Sequence, residues 1–281
     1  MPAVSLIQLP YDSGRFEERM GRGPGALLQA GLPELLRDGD CEVTIESILL
    51  DEGFQTEGNA LLDLQRRCTP IVRDRIRTGA FPILLSGNCA PAALSAVSAL
   101  GAAATGVVWF DAHGDFNTPE TSPSGFLDGM AMALLTGRCW PNLLARLDAF
   151  APIPPTSIIQ VGVRDTDPAE ETMLATSGVI RIIANDVSGV GEAVERLGAS
   201  QLYVHVDADV LDTTEGYANT FARPAGLRLD ELREALTQIC RTGRVTVASV
   251  TAYDPAADGD GRIRRALCDI IAHLGAGQFA A

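Results

Sequence analysis

The sequence is poor in the features that mark several protein classes. Basic side chains are scarce: 22 Lys+Arg stand against 36 Asp+Glu, a formal net charge of −14. Phosphate backbones are bound by clustered cations, so no nucleic acid partner is expected. No apolar run reaches the roughly 18–20 residues that a membrane span requires, because charge, Gly or Pro interrupts each one, and no membrane association is expected. Residues 1–20 carry no basic leader ahead of their apolar stretch and turn acidic and amphipathic instead, so a soluble, cytoplasmic protein is expected. The cysteines at 41, 68, 89, 139, 240 and 268 show no C-x-x-C and no framework spacing. Free buried thiols are the default reading for such a set.

What is present is ordinary globular material, with 46% hydrophobic and 21% charged residues, enough for a packed core. Short β-branched runs recur at 4–9, 42–50, 82–86, 106–111, 157–163, 179–183, 202–207 and 245–251. Several are apolar on both faces, as strands covered by helices on each side should be. Between them, apolar spacing of three and four predicts helices over 60–78, 90–100, 130–136, 168–176, 187–197 and 228–242. The alternation runs on without a linker or an internal repeat. It predicts one α/β domain over 1–281, a three-layer α/β/α sandwich with a central, mostly parallel sheet of about eight strands. Ligands in such sheets sit at the carboxyl ends of the strands.

Two acidic clusters stand at those ends. The run 106–110 leads into Asp111-Ala-His113-Gly-Asp115, and the run 202–206 into Asp207-Ala-Asp209 with His205 just before. Alternate residues of extended backbone share a side. Burying several carboxylates and an imidazole together is costly without a compensating positive charge, and no Lys or Arg lies nearby in sequence. Helix capping or solvation explains one Asp-x-Asp. Two clusters, each closing an apolar strand, point to a bridged pair of divalent cations such as Mn²⁺. His205 is read as a hydrogen-bonded core histidine or as a support for the ligands.

The segments Trp109-Phe-Asp-Ala-His-Gly-Asp-Phe-Asn-Thr-Pro-Glu-Thr-Ser-Pro-Ser-Gly125, Val161-Gly-Val-Arg-Asp-Thr-Asp-Pro-Ala-Glu170 and Val206-Asp-Ala-Asp-Val-Leu-Asp212, with Gly21-Arg-Gly-Pro-Gly25, resemble motifs of the ureohydrolase superfamily of arginases and agmatinases. The resemblance runs from about residue 20 to 258. It implies that superfamily's α/β/α fold, two divalent metal ions, normally Mn²⁺, and hydrolysis of a guanidine or amidine C–N bond of a small substrate by hydroxide held between the metals. A homo-oligomer, trimer or hexamer, is implied by the same resemblance alone. Carried over by position, Asp111 and Asp207 are the bridging carboxylates, His113 and Asp209 ligands of one ion, and Asp115 a ligand of the other. Cys89, in Ser86-Gly-Asn-Cys89, stands where the superfamily has a further histidine ligand.

Three positions depart from the superfamily pattern. Cys89 offers a thiolate, which favours Zn²⁺, Fe²⁺ or Ni²⁺ over Mn²⁺ more than imidazole does; its other reading is an inert buried thiol. Asp128 replaces a histidine assigned to proton transfer, and is either a carboxyl whose pKa burial has raised for that work or a turn residue before Gly129. Ala252 replaces a glutamate that pairs with the substrate guanidinium. That loss removes a charge-assisted hydrogen bond of roughly 1.5–3 kcal/mol, unless Asp254 or Asp258 compensates.

At the other end of the substrate, Asn117 and Ser124 match positions near an α-carboxylate, and Asp167 and Glu170 match positions near an α-amino group. Capping of the helix at 168–176 is the competing reading for the acids. Kept amino-acid recognition with an altered reactive end suggests a modified arginine such as Nω-hydroxy-arginine. The rival reading is a catalytically silent ligand-binding or assembly protein of the same fold, or a mononuclear variant hydrolase.

Overall fold

The expected alternation is realised in the computed structural model, which describes residues 2–184 and 186–278. The expected domain span, 1–281, also takes in positions 1, 185 and 279–281, which lie outside the described residues. The chain forms β1 (Ala3–Leu9), a small ribbon of β2 (Tyr11–Asp12) and β3 (Arg15–Phe16), α1 (Gly23–Gln29), α2 (Leu32–Asp38) and β4 (Glu42–Ser47). It continues through α3 (Glu57–Arg77), β5 (Phe81–Ser86), α4 (Cys89–Leu100), β6 (Thr105–Phe110), α5 (Ala131–Leu135), α6 (Pro141–Leu144) and β7 (Ile158–Val161). The last part comprises α7 (Pro168–Ser177), β8 (Ile180–Ile182), α8 (Val190–Leu197), β9 (Gln201–Asp207), α9 (Leu229–Cys240), β10 (Val245–Thr251) and α10 (Arg262–Gly277).

Eight strands make one sheet in the order β4-β1-β5-β10-β9-β6-β7-β8, and each neighbouring pair is parallel. β5 and β6 are buried at every position, which is why their sequences are apolar runs and not alternating ones. One face carries Leu27, Leu36, Val194, Leu236 and Ile270 from α1, α2, α8, α9 and α10. The other carries Leu61, Leu94, Leu134, Leu144 and Leu174 from α3 to α7. Two apolar layers thus enclose the sheet, and its edge strand β4 is largely exposed and reads polar.

The first strand-length discrepancy lies there: β4 stops at Ser47, short of the expected 50. The helices α1 and α2 begin at Gly-Pro and Leu-Pro and last two turns, too short for a periodic signal. The strands β5, β10, β9, β6 and β7 are consecutive in the sheet, so the segments that leave their carboxyl ends meet on one rim.

Candidate metal centre

The loop after β6 is set by its own backbone. Trp109 Nε1 donates to Asp111 Oδ2 at 3.0 Å, and the His113 amide donates to Asp111 Oδ1 at 2.7 Å. After β9, the Asp209 amide donates to Asp207 Oδ1 at 2.8 Å, and the Ala112 amide reaches Asp209 Oδ1 at 3.3 Å. Asp111 and Asp207 are therefore aimed by amides of their own segments, and Asp209 by an amide of the neighbouring one. Gly114 lies so close to Glu170 that a Cβ there would stand 2.5 Å from the carboxylate, which accounts for glycine within this acidic run.

Two sets of donor atoms each fall within 4.8 Å of one another: Cys89, Asp111, His205 and Asp207 in one, and Asp111, His113 and Asp209 in the other. They share Asp111, as a bridged pair of ions would require. His113 Nδ1 lies 3.4 Å from both Asp111 and Asp209. Burial alone would lower the pKa of His113, but the charges of Asp209 and Asp111 overcome it and push it up to about 12. Burial, with the charges of their neighbours, holds Asp115, Asp207 and Cys89 well above their ordinary values. Asp209, which burial alone would raise, is drawn down to about 2 by His113 and Asn219.

Four buried carboxylates face one imidazolium, an excess of negative charge that divalent cations would neutralise. Asp115 Oδ2 is buried with no hydrogen-bond partner among the described residues, as a carboxylate oxygen aimed at a cation would be. The residues present fit a binuclear centre.

His205 is a core histidine. Its ring stacks on Trp109 with centroids 3.6 Å apart. Nδ1 lies 2.9 Å from Tyr203 Oη and from Ser249 Oγ, and Nε2 lies 3.3 Å from Thr251 Oγ1. Complete burial pulls it down to about 3, so it is neutral.

Cys89 opens α4. Its Sγ lies 3.2 Å from Asp207 Oδ2 and 3.1 Å from Thr251 Oγ1. Asp128 caps that helix: Oδ1 accepts from the amides of Cys89 at 2.7 Å and Ala90 at 3.2 Å, and Oδ2 from Asn88 Nδ2 at 2.8 Å. Burial raises Asp128 to about 7 against the opposing pull of these bonds. All six cysteines are free and buried.

The centre forms the floor of a cavity of about 380 Å³, whose wall includes Asn117, Ser124, Asp128, Asp167 and Glu170. The 165–170 loop caps a helix and also borders the cavity. Asp167 and Glu170 form the capping box of α7, while Glu170 Oε1 also accepts from the Phe116 amide at 2.8 Å. Asn117 Nδ2 donates to Asp167 at 3.0 Å. Ser124 Oγ accepts from the Phe126 amide at 3.2 Å. Ala252 lies in the wall with a left-handed backbone, φ 59°. Asp258 does not compensate for it: its carboxylate is taken by Tyr253 Oη and by the amides of Ile263 and Arg264 at the start of α10. Asp254 is occupied by the Ala256 amide, and neither acid borders the cavity.

Sequence reasoning passed over Asn219, Phe221 and Arg223, which line the cavity from the loop between β9 and α9. Asn219 Nδ2 donates to Asp209 Oδ2 at 3.1 Å and to the Ala252 carbonyl at 2.8 Å. Phe221 stacks on Phe126 with centroids 5.7 Å apart. The loop has no period to read, and its only signal is a polar and aromatic run, Tyr217-Ala-Asn-Thr-Phe-Ala-Arg223.

A family model described as the arginase family matches residues 2–276. The arginase of Staphylococcus aureus strain MRSA252 is 29% identical over 277 residues, covering 91% of each chain. That of Bacillus subtilis strain 168 is 27% identical over 292 residues, covering 96% of this chain and 97% of its own. The crystal structure of arginase from Bacillus subtilis subsp. subtilis str. 168 superposes with a TM-score of 0.86 at 26% identity, over 98% of both chains. No helix among the described residues is long and apolar enough to cross a membrane. With the sheet, the strand-end acids and near full-length relatives in agreement, the chain belongs to the arginase family, hydrolases that act on small guanidino compounds at a binuclear metal centre.

Proposed function

We propose that this chain hydrolyses the C–N bond of an arginine derivative with a less basic head group, Nω-hydroxy-arginine being the model compound. The observation that carries the reading is Ala252 in the cavity wall, with Asp254 and Asp258 engaged elsewhere. An unmodified guanidinium beside Ala252 lacks the carboxylate partner that a glutamate at that position would supply, whereas a hydroxyguanidine, neutral more readily, depends less on one.

In this reading Asp111 and Asp207 would be shared between two divalent ions, Mn²⁺ in the first instance, with His113 and Asp209 helping to hold one and Cys89 and Asp115 the other. When bound, such a pair supplies activated water at neutral pH. The chain's own residues do the rest. Asn219 fixes the Asp209 carboxylate through its amide. Asp128, raised to about 7, carries a proton between the reacting centre and the leaving amine, and by capping α4 it also fixes Cys89. Asn117 and Ser124 meet the substrate's α-carboxylate, and Asp167 and Glu170 its α-ammonium. Phe126 and Phe221, stacked on each other in the cavity wall, give the substrate an apolar surface.

The test is turnover of arginine, agmatine, Nω-hydroxy-arginine and formiminoglutamate by metal-loaded protein. Preference for Nω-hydroxy-arginine is expected. Arginine turned over at least as well would refute the substrate assignment.

A further inference from the structure

The chain contains no lysine, and all 22 of its basic residues are arginines. Among the described residues only one of them, Arg223, borders the cavity, whose wall is otherwise strongly acidic. Arg223 Nε donates to Asp165 Oδ2, and Nη1 donates to the Phe221 carbonyl at 2.9 Å. Nη2 donates to no group among the described residues. The same Asp165 oxygen lies 3.9 Å from His113 Nε2, so Asp165 joins the guanidinium to the edge of the metal centre. The backbone that carries Arg223 is pinned from below, because Arg164 Nη2 donates to the Arg223 carbonyl at 2.9 Å and Arg164 Nε to the Pro224 carbonyl at 3.0 Å. The guanidinium is held on two sides with one edge left over.

We propose that Arg223 is a specificity-determining residue whose free Nη2 edge, together with Asn117 and Ser124 of the same cavity wall, binds the carboxylate of a zwitterionic, amino-acid-like substrate and so discriminates against decarboxylated amines. The inference rests on the hydrolase reading above and names the end of the substrate that this residue reads. Elsewhere the acidic wall attracts cations of every kind, the diamine and the amino acid alike. A lone arginine in such a wall turns that general attraction into a choice, because only a ligand with a negative group gains from it. A phosphate dianion fits less well, since one guanidinium edge cannot offset its repulsion from the acids around it. Asp167 and Glu170 then face the ammonium of the same ligand.

Calorimetric titration of Mn²⁺-loaded protein with ornithine and with putrescine tests this without turnover. Wild type is expected to bind ornithine more tightly. In Arg223→Gln the ratio of the two affinities should fall by about tenfold, through ornithine, with putrescine unchanged or slightly tighter. Arg223→Lys, which keeps the charge but loses the fixed planar edge, should lie between. Arg223 is 44% exposed in its side chain, so the variants should fold, and a thermal melt checks it. An unchanged ratio in both variants, or no preference for ornithine in wild type, would overturn the proposal. Failure of wild type to hydrolyse any guanidine would instead remove the hydrolase reading, and the binding ratios would still decide the role of Arg223.

Discussion

Arg164 fastens three segments beneath the metal centre, and replacing it with methionine should loosen all of them. Its guanidinium donates to the carbonyls of Gly162 at 2.9 Å, Asp209 at 2.8 Å, Arg223 at 2.9 Å and Pro224 at 3.0 Å. Methionine keeps most of the stem packing and removes every donor. Water can replace the bonds to Arg223 and Pro224, which lie toward solvent. The Gly162 and Asp209 carbonyls are partly buried and lose a charged donor, at about 1–3 kcal/mol each. A loss of about 3 kcal/mol follows, and at ~2–4 °C per kcal/mol for a chain approaching this size the melting point should fall by about 6–12 °C. The assay is thermal unfolding of metal-free protein, followed by circular dichroism. Because Asp209 faces His113, Arg164→Met should also weaken metal binding at that side. A melting point within about 2 °C of wild type, with metal content unchanged, would refute this account of the rim.

Four further outcomes are expected. Metal affinity should rise with pH, because His113, Asp115, Asp207 and Cys89 are all raised and hold protons that the ions must displace; a flat profile across pH 6–9 by competition titration would contradict this. Ala252→Glu should shift the arginine to Nω-hydroxy-arginine ratio of kcat/KM toward arginine by about tenfold, read from steady-state kinetics. Asp128→Asn keeps an acceptor for the Cys89 amide but removes a group titrating near 7, so kcat should drop about 100-fold or more and lose its pH limb in that region. Glu170→Gln leaves the Phe116 or the Asp167 amide without its carboxylate, and should cost about 1–3 kcal/mol in chemical denaturation.

The eight strands of the sheet were legible because each is a short apolar run in a chain where helices supply a different period. The strand-end acids were legible because their cost is visible without coordinates: burying Asp111, His113, Asp115, Asp207 and Asp209 together on one rim in their charged forms is costly unless cations compensate. Cys89 and Ala252 stood out only against the superfamily motifs, since an isolated cysteine or alanine carries no pattern of its own. The capping role of Asp128 was hidden, because it depends on a contact between residues 39 positions apart. Arg164 and Arg223 were hidden for a related reason. The carbonyls that one grips and the cavity that the other borders are assembled by loops from β7 and β9, and loop geometry leaves no period in the sequence.

The central claim is that Cys89 completes a second metal site beside the one at His113. It is tested most directly by elemental analysis of protein purified without chelator, as wild type and as Cys89→Ala. Two equivalents of metal per chain falling to about one in the variant is the expected result. Two equivalents kept in Cys89→Ala, or one or none in wild type with no gain on added Mn²⁺, would contradict it.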